Sequence, residues 1–144
     1  SREEAVDAAL DLIDKNSLAY EAVEVGKKFV NQSASNLHDH YGDMSPVHSL
    51  NNLAVVIWAF LSFKDSFDEA IGETICCGWD TDCTGATVGG LIGLDKGSIP
   101  ESWTDPWQGR VNTAIAGVGE LKLEDLVERT CKLVDQFSSE SDMD

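Results

Sequence analysis

Apolar residues recur along most of this chain at the three- and four-residue spacing of helices, and almost nowhere at the two-residue period of a strand. Ser1 and Glu4 can form a capping box, and Ala5, Ala8, Ala9, Leu12 and Ile13 follow on one helical face. A second helix is predicted from near Ser17, with Ala22, Val23, Gly26, Phe29 and Val30 turned inward. Residues 31–47 are rich in Asn, Ser, His and Asp and carry Pro46, which predicts a long connection or a short irregular helix. The segment Leu53-Ala54-Val55-Val56-Ile57-Trp58-Ala59-Phe60-Leu61 is apolar all round, fitting a central buried helix or a buried strand. Helix is the better reading, because no other segment offers a strand partner.

Ser66 and Glu69 make a further capping box, opening a helix with Phe67, Ala70, Ile71 and Thr74 inside and Gly78 at its end. The run Thr84-Gly85-Ala86-Thr87-Val88-Gly89-Gly90-Leu91-Ile92-Gly93 continues helical but glycine-rich. Each glycine disfavours a helix by ~1 kcal/mol relative to alanine, so the four need a compensating reason. Gly85, Gly89 and Gly93 lie four apart and would give a smooth face for close helix packing or for a ligand. Lys96-Gly97 reads as a helix stop, and Ile99-Pro100 to Pro106-Trp107 as a loop anchored by Trp103 and Trp107. A final amphipathic helix should turn Leu123, Leu126, Val127, Thr130, Cys131, Val134 and Phe137 inward. The pattern predicts one helical domain over residues 1–137 and a frayed acidic tail over 138–144.

A chain of 144 residues is long enough for one domain with a core. Its 26 acidic and 10 basic residues give a formal net charge of −16. That field repels phosphate backbones and anionic membranes, which argues against nucleic acid or membrane as a general partner. An anionic ligand would need metal ions or helix N-termini to offset it. No apolar run approaches the roughly 18 residues of a membrane span, and Ser1-Arg2-Glu3-Glu4 does not look like a signal peptide. Cys76, Cys77, Cys83 and Cys131 match neither zinc-site spacing nor a small secreted scaffold, which predicts reduced thiols and a cytoplasmic location.

The chemistry concentrates at Gly78-Trp79-Asp80-Thr81-Asp82-Cys83-Thr84-Gly85. Carboxylate and hydroxyl oxygens are hard donors suited to Mg²⁺, Mn²⁺ or Ca²⁺. An Asp-x-Asp pair alone is weak, because 15 aspartates give roughly one or two such pairs by chance, and Asp142 and Asp144 form another. Context distinguishes Asp80 and Asp82: a glycine-led turn, hydroxyls at Thr81 and Thr84, and a small-residue helix immediately after. On spacing alone, a metal site and a simple helix cap at Asp82 are evenly matched. An EF-hand is excluded, since Val88 and Leu91 stand where that loop needs ligands. His38 and His40 do not share a helical face and read as surface residues, and His48, Asn51 and Asn52 read as capping or buried hydrogen-bonding groups. Gly117-Val118-Gly119 lacks the third glycine and the strand of a dinucleotide fingerprint. Trp79 could stack on a base or ribose, or serve as a core or rim residue.

Five blocks in order carry a family resemblance: Val47-His48-Ser49-Leu50-Asn51-Asn52, Ser66-Phe67-Asp68-Glu69-Ala70, Gly78 to Gly85, Ile99-Pro100-Glu101-Ser102-Trp103, and the closing helix. Together they resemble the C-terminal half of an ADP-ribosylglycohydrolase. The resemblance implies an all-α fold, an orthogonal multi-helix bundle, around two divalent ions, Mg²⁺ or Mn²⁺. It implies hydrolysis of the glycosidic link between ADP-ribose and an acceptor, by metal-assisted attack of water at the anomeric carbon. Asp80 and Asp82 match the family's acidic metal ligands and would carry catalysis. Cys83 stands where a threonine hydroxyl is common, and Trp79 where glycine is common. Gly78, Trp79, Thr81, Thr84 and Gly85 would line the substrate side. A Thr-Asp-Asp cluster that completes the family's site is not in this sequence, so a missing N-terminal half or a companion chain is the expected partner, beside an ADP-ribose-containing substrate. The competing expectation is a non-catalytic helical structural or ligand-binding module on the same fold.

Overall fold

The computed structural model describes residues 1–141, with side chains as far as Ser138. Packing divides the chain into two units, Ser1–Ile99 and one that begins at Pro100. The first holds helices α1 (Arg2–Leu10), α2 (Leu18–Lys28), α3 (Ser35–Tyr41), α4 (Ser49–Ser62), α5 (Phe67–Cys76) and α6 (Thr81–Lys96). The second holds α7 (Glu101–Thr104), a 3-10 turn at Asp105–Trp107, strands β1 (Arg110–Asn112) and β2 (Glu120–Lys122), and α8 (Leu123–Ser141). The chain is all-α in class, as expected. Asp142 and Asp144 lie outside the described residues. Among the described residues no helix is long and apolar enough to cross a membrane.

The all-apolar segment is the central helix of the first unit. On α4, Ala54, Val55, Trp58 and Ala59 are fully buried, and α1, α2, α3, α5 and α6 all rest against it. Each large aliphatic side chain so buried contributes about 1.5–3 kcal/mol. Trp58 satisfies its one donor by an Nε1–H bond to Gln32 O at 3.1 Å, and Phe63 meets its ring edge-on. Gly26 lets α2 cross α4 closely: a Cβ there would stand 2.7 Å from Ala54 O and 2.8 Å from Ile57 Cβ. The glycine face of α6 does the same job against α5. Gly85 and Gly89 lie under Ile75 and Ile71, with Phe67 beside Gly89. Gly97, left-handed at φ +73, ends α6 as the sequence predicts.

Helix α1 buries a different face from the expected one. Arg2, Val6 and Leu10 point inward, whereas Leu12 is 90% exposed. The cause is Arg2, which hydropathy would place outside. Its Nη1–H groups donate to Phe60 O at 2.8 Å, in the last turn of α4, and to Phe63 O at 3.2 Å, at its C-cap. Its Nε–H donates to Asp95 near the end of α6, and its guanidinium covers the Phe60 ring. Residues 31–47 contain the short helix α3, one of the two predicted alternatives.

In the second unit, two expectations are corrected. The segment from Pro100 to Trp107 is not a plain loop: it winds into α7 and the 3-10 turn, on which Trp103 and Trp107 are 36% and 45% exposed. The amphipathic helix forms, but its apolar stripe is open, with Val127, Val134 and Phe137 more than half exposed. An antiparallel hairpin, unforeseen from the sequence, sets Val111 opposite Leu121. Its strands are three residues long, too short for a two-residue period to register.

Candidate metal centre

Helix α5 stops where Gly78 turns left-handed at φ +81, and its N–H returns to Ile75 O. Trp79 follows at φ +62, also left-handed, at a cost of about 1–2 kcal/mol for a residue with a Cβ. Such a conformation persists only where neighbours over-determine it. Two neighbours flank the indole. The His38 ring lies 4.3 Å from it, centroid to centroid, and Tyr41 meets it nearly edge-on at 6.3 Å. His38 is itself fixed, its Nε2–H donating to Cys77 O at 2.6 Å.

Asp80 takes the N-cap position of α6, but its side chain makes no capping hydrogen bond, and Asp82 falls in the first turn. The simple-cap reading of Asp82 therefore fails. The Asp80 backbone N–H donates to Asn52 Oδ1 at 3.2 Å. Asn52 in turn donates through Nδ2 to Pro46 O and His48 O, both at 2.8 Å. His48 caps α4, its Nδ1 accepting from Leu50 N–H, as its position before the buried helix implied.

One carboxylate oxygen each of Asp80 and Asp82 and the Cys83 Sγ lie within 4.8 Å of one another. Asp80 is half-buried, and Asp82 and Cys83 are exposed. The Cys83 thiol donates to the Asp80 carboxylate, and this bond, with the negative charges of Asp80 and Asp82, raises its pKa. The cluster sits at the positive end of α6, which favours its charge. Two hard oxygens and one soft sulfur suit a divalent cation, with the sulfur shifting preference from Mg²⁺ toward softer ions.

The other residues of the turn are placed as follows. Thr84 is buried, and its hydroxyl donates back to Asp80 O at 3.0 Å. Thr81 is half-buried at the start of α6, and Gly85 faces Ile75. A groove of about 220 Å³ between α4 and α6 opens beside the cluster, lined by Ser49, Asn52, Leu53, Val56, Cys83, Thr84 and Thr87. His38 was not foreseen as part of this neighbourhood. The glycine-like position of Trp79 was the one available hint, since a left-handed tryptophan needs a support.

Fold and site together define an all-α protein that presents two carboxylates and a thiol close enough to hold one cation. A family model for ADP-ribosylglycohydrolases matches residues 1–141, and the chain belongs to that family of glycosyl hydrolases acting on ADP-ribose links. No curated protein and no solved structure matches the chain.

Proposed function

We propose that this chain contributes to metal-dependent hydrolysis of ADP-ribosyl glycosidic links and supplies one half of a binuclear Mg²⁺ or Mn²⁺ site. The observation that carries the reading is the approach of the Asp80, Asp82 and Cys83 ligand atoms within 4.8 Å, in a chain of this family. The Asp80 side chain makes no cap hydrogen bond to α6, and Asp82 is exposed in its first turn. Asp82, the more exposed, is assigned as the ligand shared between ions, and Asp80 as a terminal one. Cys83 takes the third position, because the Thr84 hydroxyl is turned back onto its own helix.

Bound ions would orient the substrate and lower the pKa of the attacking water. This chain's residues hold the donors in place and present Trp79 and Thr81 at the ribose side. On this reading a partner segment or companion chain supplies the remaining ligands. Four free cysteines accord with a cytoplasmic setting.

Titrating Mn²⁺ into the chain, with the free ion followed by electron paramagnetic resonance, should reveal one class of site that Asp82→Asn abolishes. Two tightly held ions per chain would overturn the half-site assignment. In the protein assembled with its partner segment, Asp82→Asn should lower hydrolysis of an ADP-ribosylated substrate by at least about a hundredfold. Unchanged hydrolysis would exclude Asp82 as a ligand.

A further inference from the structure

The geometry points to His38 as a positioning residue that holds Trp79 left-handed and thereby aims the Asp80 and Asp82 carboxylates at one point. The inference rests on the metal reading above and extends it to a helix distant in sequence. His38 reaches the turn on both sides, through Cys77, whose Sγ also lies 3.9 Å from Nε2, and through Trp79. Its Nε2–H donates to the carbonyl of Cys77, the residue that caps α5, at 2.6 Å. Its ring packs on the Trp79 indole, tilted by 42° at 4.3 Å. The two contacts fall on either side of Gly78, whose φ of +81 makes it the pliable link of the turn.

A tryptophan at φ +62 would relax to an ordinary conformation if the indole were free to swing. That rotation would turn the following peptide, whose N–H donates to Asn52, and carry Asp80 with it. Asn52 therefore holds the turn from its α6 side and His38 from its α5 side. Tyr41, buried on the same helix as His38, adds a second ring contact to the indole. A group that orients a ligand without touching the ion commonly changes metal affinity by ten- to a hundredfold when removed.

A double-mutant cycle read by Mn²⁺ affinity tests this. His38→Ala should weaken Mn²⁺ binding by about tenfold, and His38→Gln, which keeps an N–H donor, should recover part of the loss. Glycine adopts the left-handed region freely, so the support is unnecessary once the tryptophan is gone. His38→Ala made together with Trp79→Gly should therefore cost little beyond Trp79→Gly alone. Thermal melts of all four variants separate loss of the fold from loss of the site. Wild-type affinity in His38→Ala, or an equal loss in both backgrounds, overturns the positioning role and leaves the metal reading standing. A wild-type chain that binds no Mn²⁺ overturns both.

Discussion

The side-chain oxygen of Asn52 accepts the backbone N–H of Asp80 at 3.2 Å, tying the buried helix α4 to the first residue of the acid pair. Because its Nδ2 also donates to Pro46 O and His48 O, one amide holds three backbone groups. Asn52→Ala would leave all three without this partner in a nearly buried place. The expected loss is about 2–3 kcal/mol of unfolding free energy, measurable by urea titration, with weaker Mn²⁺ binding alongside.

Arg2 makes a second prediction. It is 5% exposed and joins the ends of α4 and α6 through Phe60 O, Phe63 O and Asp95. Arg2→Ala should destabilise by about 2–4 kcal/mol, because a buried carbonyl, a half-buried one and a carboxylate lose this donor. Arg2→Lys should recover only part, since one ammonium cannot reproduce the planar fork. Thermal unfolding of the two variants checks the order.

Two glycine-to-alanine changes should part in their effects. At Gly26 the new Cβ would meet backbone, Ala54 O at 2.7 Å, so α2 must shift and stability should fall by about 1–3 kcal/mol. At Gly85 the nearest atom is Ile75 Cδ1 at 3.0 Å, the movable end of a side chain that is 44% exposed. There the ~1 kcal/mol gain in helix propensity should offset the crowding, giving a denaturation midpoint close to the parent's.

Much of this architecture is written in the chain. The spacing of Ala70, Ile71 and Thr74 and the unbroken apolar run of α4 specify faces that the fold buries, because there burial follows hydrophobicity directly. Helix α1 escaped because its inward face is led by an arginine, whose partners Phe60, Phe63 and Asp95 are remote in sequence. The acid pair was legible as a candidate, and its resemblance pattern supplied the family. The support by His38 was not, since it depends on α3 lying beside the α5–α6 turn, a tertiary fact with no local periodicity.

Cys77 should make stability depend on pH in the alkaline range. Burial raises its pKa from the ordinary 9.0 to about 11. A folded pKa above the unfolded one means that the stabilising contribution is whole below pH 9.0. It fades as pH climbs through about 11, where the unfolded chain releases the proton more readily. Cys77→Ala should flatten the fall in unfolding free energy across this window relative to the parent, whatever its effect at neutral pH.

Cys83 should report directly on ion binding. It is exposed, so an alkylating reagent can reach it, and its sulfur lies within 4.8 Å of both carboxylates. Cd²⁺ or Mn²⁺ should slow its modification by iodoacetamide, followed by peptide mass spectrometry, while leaving exposed Cys131 unaffected. Equal rates with and without metal would remove Cys83 from the donor set.

Five helices lean on α4, so none of its middle turns can be bared while the rest stays folded. In deuterium exchange, the amides of Val55 to Leu61 should therefore open only with the whole first unit, whereas those of α8, with its open stripe, exchange through local fraying. The acid pair is moored to that slow-opening helix by Asn52. The surface acids are thus tied at one end to the slowest-opening helix of the unit, while Gly78 leaves the other end of their turn free to adjust.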